Sequence, residues 1–326
     1  MVNRFLMSAG LALALAACGG GDSGGSPPPT GGGGGPTPTP TPTPSPSPTP
    51  TYQTFAQLTG DRNFDAACGG IKQASAITPI TASEFGEGIS QGRGLALGFT
   101  AATSTWNITG PGFTTSFGPA DLSATPPVDT VLYSRTVNGL PNRFAIVSRP
   151  FGAQAAEYVR GAALTFPNGG GIEDYFCVFG VPTLVTDTLP SSTITYSQFN
   201  IGGFAIRATP TGTSVFDLRD STVTLSANPA NGQVTTQITL VGREFVAGVP
   251  ATTTTALGTY NSTGTVNSRP SFAGDLTSPG QTVLASGFAG WFFGPQGREA
   301  GYAFNIVVDL PTGGRLTSGG AVTARR

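Results

Sequence analysis

Short stretches in which apolar and polar residues alternate dominate the chain, and such stretches predict β-strands. The clearest example is the hairpin Ser221–Gly242, which turns at an Asn-Pro-Ala-Asn-Gly segment. On its first arm, polar residues alternate with Val223, Leu225 and Ala227, and on its second arm with positions 234, 236, 238 and 240. One face is apolar and the other polar, so we expect one side to pack on a core and the other to face water.

Similar runs predict further strands on both sides of a proline-containing stretch, Pro182–Pro190. After it we expect strands at 193–198, 204–208, 215–218, 252–258, 271–276, 285–293 and 302–308. Before it we expect strands at 95–101, 112–117, 130–135, 143–148, 158–166 and 175–179. Eight or nine antiparallel strands in the second region favour a barrel or a sandwich, because open sheet edges invite aggregation.

Helical periodicity is weak along the chain. It predicts only short helices, at Thr54–Cys68 with Thr54 as N-cap and at Ser83–Gly88. We therefore predict an all-β protein with β-rich regions at residues 52–189 and 190–326, divided at Pro182–Pro190.

The first residues are typical of an export signal. Arg4 precedes an apolar run that ends at Ala17 and is shorter than the roughly 20 residues of a membrane-spanning helix. The run ends in Leu-Ala-Ala-Cys, which resembles a bacterial lipobox, so we expect residues 1–17 to be removed and Cys18 to be lipidated. Ordinary signal cleavage near Ala17, with a free Cys18, is the alternative.

Residues 18–51 follow as a linker, because after the cysteine they offer no aliphatic or aromatic side chain for a core. The Thr-Pro and Ser-Pro repeats at 36–51 are expected to be extended and to span about 50 Å at roughly 3.1 Å per residue. Gly19, not an acidic residue, follows the cysteine, which by resemblance to known sorting signals favours the outer membrane. We expect attachment through the lipid anchor, with the cell surface favoured over the periplasmic side.

Composition argues against several kinds of function. The chain has no histidine and a formal net charge of −1, which disfavours histidine-dependent catalysis, histidine-ligated metal and a nucleic-acid partner. Hydrolysis by a carboxylate pair remains an alternative, although the adjacent Glu173 and Asp174 would point to opposite faces of a strand. We expect no enzyme activity, no catalytic residue, no metal site and no cofactor.

Two cysteines remain once Cys18 is assigned to the lipid. Cys68 and Cys177 are an even pair in an exported chain, which favours a disulfide. It would close a loop of about 110 residues and contribute up to roughly 4–5 kcal/mol. Two separately buried thiols are the alternative.

The segment GFAGWFFGPQGREAGYAFNI, residues 287–306, combines spaced glycines, aromatic residues and a Gly-Pro pair. It resembles the last strands of the barrel domain in the transferrin-binding protein B family, and the likeness extends over residues 190–310. The family's Asn-Ala after the Gly-Pro pair is replaced here by Gln-Gly-Arg at 296–298. The positions that carry the resemblance are Gly287, Phe288, Gly290, Phe292, Phe293, Gly294, Pro295, Glu299, Gly301 and Phe304.

The resemblance implies a soluble eight-stranded antiparallel β-barrel preceded by a handle-like N-terminal subdomain. It also implies an outer-membrane lipoprotein that binds a solute or protein ligand in iron or haem acquisition. The ligand would be an iron or haem carrier, and the partner a TonB-dependent receptor. A structural or adhesive surface lipoprotein without a small ligand is the alternative. Binding residues of the family lie on variable loops, so none transfers to a position in this chain.

Four aromatic residues are candidate ligand contacts, with core packing as the alternative for each: Trp106, Phe113, Phe117 and Tyr260. The only methionines are at positions 1 and 7, within the expected signal. A bound haem would therefore need a tyrosine, a free cysteine or a group of a protein partner as its iron ligand.

Overall fold

Extended backbone accounts for nearly all regular structure in the computed structural model, which describes residues 51–73, 77–83 (backbone only), 95–169, 171–267, 270–311 and 313–326. These residues all belong to one compact unit. No α-helix occurs among them, and so no helix there could cross a membrane. The all-β prediction is confirmed. Single 3-10 turns occur at Phe55–Gln57, Ala101–Thr103, Pro119–Asp121 and Pro295–Gly297.

Nine of the described strands form an open antiparallel sheet, called here the N-terminal sheet. Its strands are β1 (Arg62–Gln73), β2 (Ile77–Ser83), β3 (Leu95–Thr100), β4 (Thr105–Gly110), β5 (Phe113–Phe117), β6 (Thr130–Val137), β7 (Leu140–Val147), β8 (Val159–Asn168) and β9 (Gly171–Gly180). The order is β5-β4-β3-β1-β9-β8-β7-β6. Strand β1 lies in the middle, because its first half pairs with β3 and its second half with β2 and β9.

The other eleven described strands form a sheet that closes on itself, called here the barrel. Its strands are β10 (Ile194–Tyr196), β11 (Gln198–Thr209), β12 (Gly212–Asp217), β13 (Thr222–Asn228), β14 (Gln233–Val246), β15 (Val249–Pro250), β16 (Thr255–Val266), β17 (Ser271–Gly274), β18 (Thr282–Phe293), β19 (Glu299–Asp309) and β20 (Arg315–Arg325). Eight of them complete the ring β11-β12-β14-β16-β17-β18-β19-β20, and β20 pairs back with β11. This ring confirms the eight-stranded antiparallel barrel.

Side chains fill the inside of the barrel. The alternation that predicted the hairpin Ser221–Gly242 holds in space, because the apolar positions of β13 and β14 are buried and most polar positions between them are exposed. Thr236 points inward with them, and its hydroxyl lies 2.8 Å from the Tyr302 hydroxyl and donates to the Thr224 carbonyl at 2.9 Å. Buried polar groups need such partners. The largest inward side chains are Phe216, Tyr260, Phe272, Phe288, Phe292, Tyr302 and Phe304.

Strand β19 is buried on both faces, from Glu299 to Val308. Tyr302, Phe304, Ile306 and Val308 face the barrel interior, as their alternation predicted. The N-terminal sheet covers the other face of this part of the barrel, where Trp291 and Phe293 of β18 pack against residues of β1, β8 and β9.

The two sheets approach most closely where two glycines meet. A Cβ atom placed on Gly319 of β20 would lie 2.7 Å from the Cα atom of Gly70 in β1. Real Cβ atoms do not come so near to backbone, so small residues are required at this crossing.

The start of the described chain is tied to one end of the barrel. The Tyr52 hydroxyl donates to Asp187 Oδ2 at 2.8 Å and accepts from the Leu184 amide at 2.8 Å. The same carboxylate oxygen accepts from the amide of Gln296, at 2.7 Å, in the turn after β18. These bonds fix the connection between the sheets against the barrel.

The structure corrects two predictions about local elements. Thr54–Cys68 is not a helix, since only one 3-10 turn forms there and β1 begins at Arg62. The last strand of the barrel is β20, which was not predicted, rather than 302–308. Beyond Ser83, which ends β2, the helix expected at Ser83–Gly88 lies outside the described residues. The division of the chain into subdomains at residues 52–189 and 190–326 stays a prediction.

Candidate functional site

The segment that carries the family resemblance, residues 287–306, forms barrel strands and packing contacts rather than a binding site. Phe288, Phe292 and Phe304 belong to the barrel core, and Phe293 packs under the N-terminal sheet. A Cβ atom on Gly294 would lie 2.3 Å from the ring of Tyr158, which explains the glycine at this position.

Glu299 falls between the predicted strands 285–293 and 302–308, yet it belongs to a strand. It is the first residue of β19 and is fully buried. Its carboxylate accepts hydrogen bonds of 2.8 Å from three successive amides, those of Glu157, Tyr158 and Val159. Arg325 lies 3.4 Å from the same carboxylate. A buried carboxylate with this many partners holds the N-terminal sheet to the barrel and is not exposed to a ligand.

A second carboxylate extends this network. Glu157 pairs with Arg325 at 3.1 Å and with Arg298 at 3.0 Å. Arg325 also donates to the Ala155 carbonyl at 2.8 Å. Both carboxylates near Arg325 are therefore used to join the two regions, which favours a structural role over acid–base chemistry.

The four aromatic residues proposed as ligand contacts lie in strands, and core packing explains most of them. Trp106, Phe117 and Tyr260 are buried, at 7%, 0% and 0% exposure. Phe113 is partly exposed, but its ring stacks on Phe166 with centroids 4.2 Å apart. These residues therefore hold the fold together.

The two remaining cysteines form the disulfide predicted from their number. Cys68 and Cys177 are register partners on β1 and β9, with their Cα atoms 4.1 Å apart. The bridge lies inside the core of the N-terminal sheet, where both residues are fully buried. It leaves neither thiol able to ligate a metal.

The tyrosines are poorly suited to ligate haem iron. Burial raises the pKa of Tyr52 and of Tyr260 to about 12. Burial also raises the pKa of four others, namely Tyr133, Tyr175, Tyr196 and Tyr302. The phenolate form that binds iron is therefore disfavoured near neutral pH at these six positions.

Glu173 and Asp174 point to opposite faces of β9, as adjacent strand residues must. Burial raises the pKa of Glu173, but hydrogen bonds from Lys72 and Tyr175, both 2.8 Å, and from Asn168 outweigh it and leave the pKa below its usual value. Burial raises the pKa of Asp174, against hydrogen bonds from its neighbours. No cluster of three or more metal-ligating acids or cysteines occurs in the described part of the chain.

An exposed apolar hairpin extends from the barrel and is the strongest candidate contact surface. It spans residues 245–250, where the end of β14 pairs with β15 alone. Phe245, Val246 and Val249 are 37%, 62% and 65% exposed. Ala247 and Gly248 have φ angles of 51° and 81°, the left-handed conformations that a two-residue hairpin turn requires. The sequence signal, an uncharged Phe-Val-Ala-Gly-Val-Pro run, was missed because the strand was ended at Gly242.

A charged groove lies beside this hairpin. It has a volume of about 400 Å³ and separates the end of the N-terminal sheet from β11 and β12. Phe245 forms part of its wall with Arg143, Asp174 and Gln73. Asp174 accepts hydrogen bonds of 2.8 Å from Gln73 and from Thr165. An apolar projection next to charged and polar side chains is typical of the composition of protein interfaces.

No protein-family profile and no curated protein matches this chain. Solved structures that are similar to it include three with a TM-score of 0.37. A double mutant of transferrin-binding protein B from Haemophilus parasuis Hp5 is 9% identical and is aligned over 82% of this chain and 76% of its own. HpuA from Kingella denitrificans, in complex with human haemoglobin, is 15% identical over 82% of this chain and 87% of its own.

The third is the isotype 1 transferrin-binding protein B from serogroup B Neisseria meningitidis, which is 10% identical over 77% of this chain. The chain spans 60% of the length of that protein. Because identities and TM-scores are low, the binding chemistry of this chain has to be derived from its own residues.

Proposed function

We propose that this chain is an outer-membrane lipoprotein, anchored through Cys18, that binds a protein ligand at the cell surface without doing chemistry on it. The observation that carries the proposal is the apolar hairpin 245–250, which leaves Val246 and Val249 more than half exposed. A folded chain does not benefit from placing aliphatic side chains in water, and exposed apolar surface beside polar groups marks interaction sites.

The proposed class of ligand follows from the scarcity of side chains that could ligate a metal among the described residues. The disulfide uses the two cysteines of the described residues, and burial raises the pKa of most tyrosines. In iron or haem acquisition, the metal or haem would therefore stay ligated by the carrier protein. A TonB-dependent receptor is the proposed partner that would take up what the carrier releases.

The test is binding of haemoglobin and of transferrin to the immobilised full-length protein. We expect Val246→Asp with Val249→Asp to weaken binding at least tenfold, because each change places a charge in an apolar contact. The matched control is Val185→Asp, which changes an aliphatic residue of 73% exposure. Val185 lies beside Pro229 and Ala230, at the opposite end of β14 from the hairpin.

Binding of neither protein, or equal losses in the hairpin variant and its control, would count against the proposal. A deletion strain that attaches to surfaces abnormally but grows normally on scarce iron would select the adhesive alternative.

The location is tested separately by protease treatment of intact cells. Digestion of the folded part would place it outside the cell, and protection would place it on the periplasmic side. Cys18→Ala is expected to release the chain from the membrane fraction, since two or more acyl chains supply the stable attachment.

A further inference from the structure

A cavity of about 300 Å³ separates the outer wall of the barrel from the N-terminal sheet. Residues of β7, β8 and β9 form one wall, and residues of β11 and β20 form the other. It shares Gly203 and Asp217 with the charged groove beside the apolar hairpin, and its lining is mainly apolar. We call it the intersheet cavity.

The cavity exists because small residues face each other across it. On the N-terminal sheet, Ala145 and Ala163 are register partners on β7 and β8. On the barrel, Gly202 and Ala321 are register partners on β11 and β20. A Cβ atom on Gly202 would meet nothing within 4 Å, so the space in front of this wall is open.

Aromatic residues keep the two walls apart. Phe176, the register partner of Ala163 on β9, packs edge-on against Phe204 of β11 with ring centroids 5.3 Å apart. This contact spans the gap between the sheets at one side of the cavity. The space is therefore set by packed rings and does not depend on a mobile loop.

The lining of the cavity contains more positively charged than negatively charged side chains. Asp217 accepts a hydrogen bond of 2.7 Å from Arg219 Nε, so these two charges neutralise each other. Arg149, also part of the lining, forms no ion pair with a carboxylate of the described residues. Within the part of the chain that the structure describes, its one side-chain hydrogen bond, to the Ile201 carbonyl, is 3.4 Å long. A partly buried arginine with spare donors is suited to a carboxylate.

We propose that the intersheet cavity binds a small monocarboxylic amphiphile, with its carboxylate on Arg149 and its apolar tail between the two small-residue walls. At about 30 Å³ for a water-sized group, the cavity takes about ten non-hydrogen atoms. Its volume is at the lower end of the range for small-molecule sites. A medium-chain fatty acid has this size and charge. The site does not depend on binding of a protein ligand at the hairpin.

The test is calorimetric titration of the full-length protein with octanoate, and with octanol as the uncharged analogue. We expect one octanoate per chain, bound at least tenfold more tightly than octanol. Arg149→Gln should remove this preference while octanol still binds. The matched control is Arg315→Gln, which changes an exposed arginine paired with Asp309 far along β20.

Variants that fill the cavity test whether the apolar tail of the ligand binds there. Gly202→Leu should abolish binding of both probes, and Ala163→Leu does the same from the opposite wall if the first variant does not fold. Equal affinity for octanoate and octanol, an unchanged preference in Arg149→Gln, or full binding in a folded cavity-filled variant would overturn the proposal. Absence of octanoate binding at millimolar concentration would overturn it as well.

Discussion

The barrel and the N-terminal sheet deal with their edges in different ways. The barrel pairs every strand of its ring on both sides, so no edge of the ring is left open. The N-terminal sheet ends in β5 on one side and β6 on the other. It carries the disulfide. The amides of Glu157, Tyr158 and Val159, at the start of β8, donate hydrogen bonds to the buried carboxylate of Glu299.

This difference suggests how stability is divided. A closed ring around an apolar interior is expected to need less support than an open sheet, which is stabilised here by a covalent cross-link and by the wall it covers. Trp106 allows the N-terminal sheet to be followed by fluorescence, whereas Trp291 reports on the contact between the two regions. Trp106 lies in the core of the N-terminal sheet and Trp291 on the covered face of β18.

The largest effect is expected from Cys68→Ala with Cys177→Ala. Removing a bridge across 109 residues should destabilise the N-terminal sheet by about 4 kcal/mol in the chain-entropy account. Urea unfolding followed through Trp106, in a Trp291→Phe background, should shift to lower denaturant. The barrel, followed through hydrogen exchange of the amides of β14 and β16, should lose less stability. Equal losses would mean that the two regions unfold together.

Glu299→Ala should cost about 3 kcal/mol, because it leaves three amides without their acceptor and removes one of the two carboxylates that pair with Arg325. Unlike loss of the disulfide, this change should destabilise both regions, since Glu299 joins them. The control is Asp309→Ala on the same strand, which breaks the exposed pair with Arg315 and should cost less than about 1 kcal/mol. An effect of Glu299→Ala no larger than that of the control would contradict the role of Glu299 in joining the two regions.

Gly319→Ala tests the crossing of the sheets. The added methyl group would meet the Gly70 backbone, so we expect a loss of about 1–3 kcal/mol from forced separation. Gly202→Ala, on the neighbouring barrel strand β11 but with open space around it, should be close to neutral. Thermal unfolding of the two variants side by side measures the difference, and similar melting temperatures would contradict the close approach.

The smallest effect is expected at Tyr52, whose pKa in the folded protein is about 12. The unfolded value is about 10, so the folded state holds the phenol proton more tightly. The stabilisation is complete below pH 10 and is lost as the pH rises through 12. Tyr52→Phe should cost about 1 kcal/mol at pH 8, and the difference from the wild type should shrink between pH 10 and 12. Urea unfolding at several pH values measures it, and a constant difference would exclude this linkage.

Strands with one buried face could be predicted from the sequence, whereas strands with two buried faces could not. The hairpin of β13 and β14 alternates because only one of its faces packs inward. Strand β1 was mistaken for helix because its central residues are buried on both faces, which removes the alternation. Strand β20 was not predicted, because its Ser-Gly-Gly residues interrupt the alternation of apolar and polar side chains; they are small since Gly319 meets Gly70.

The candidate sites were harder to find than the fold. The disulfide followed from counting cysteines, but the apolar hairpin needed knowledge that β14 continues past Gly242 and leaves the barrel. The intersheet cavity arises only when Ala163 and Gly202, distant along the chain, face each other in space. Neither residue carries a signal of its own, because alanine and glycine are common in this sequence.

The hydrogen bonds from Tyr52 and from Gln296 to Asp187 determine which end of the barrel lies near the first described residues. They place the start of the described chain at the barrel end where β18 finishes. Strands β14 and β18 run in opposite directions around the ring, so the hairpin beyond β14 projects from the other end. If the proposed lipid anchor holds the chain by its first residues, the end at Tyr52 is the base, and the apolar hairpin is the leading edge that meets an approaching molecule first.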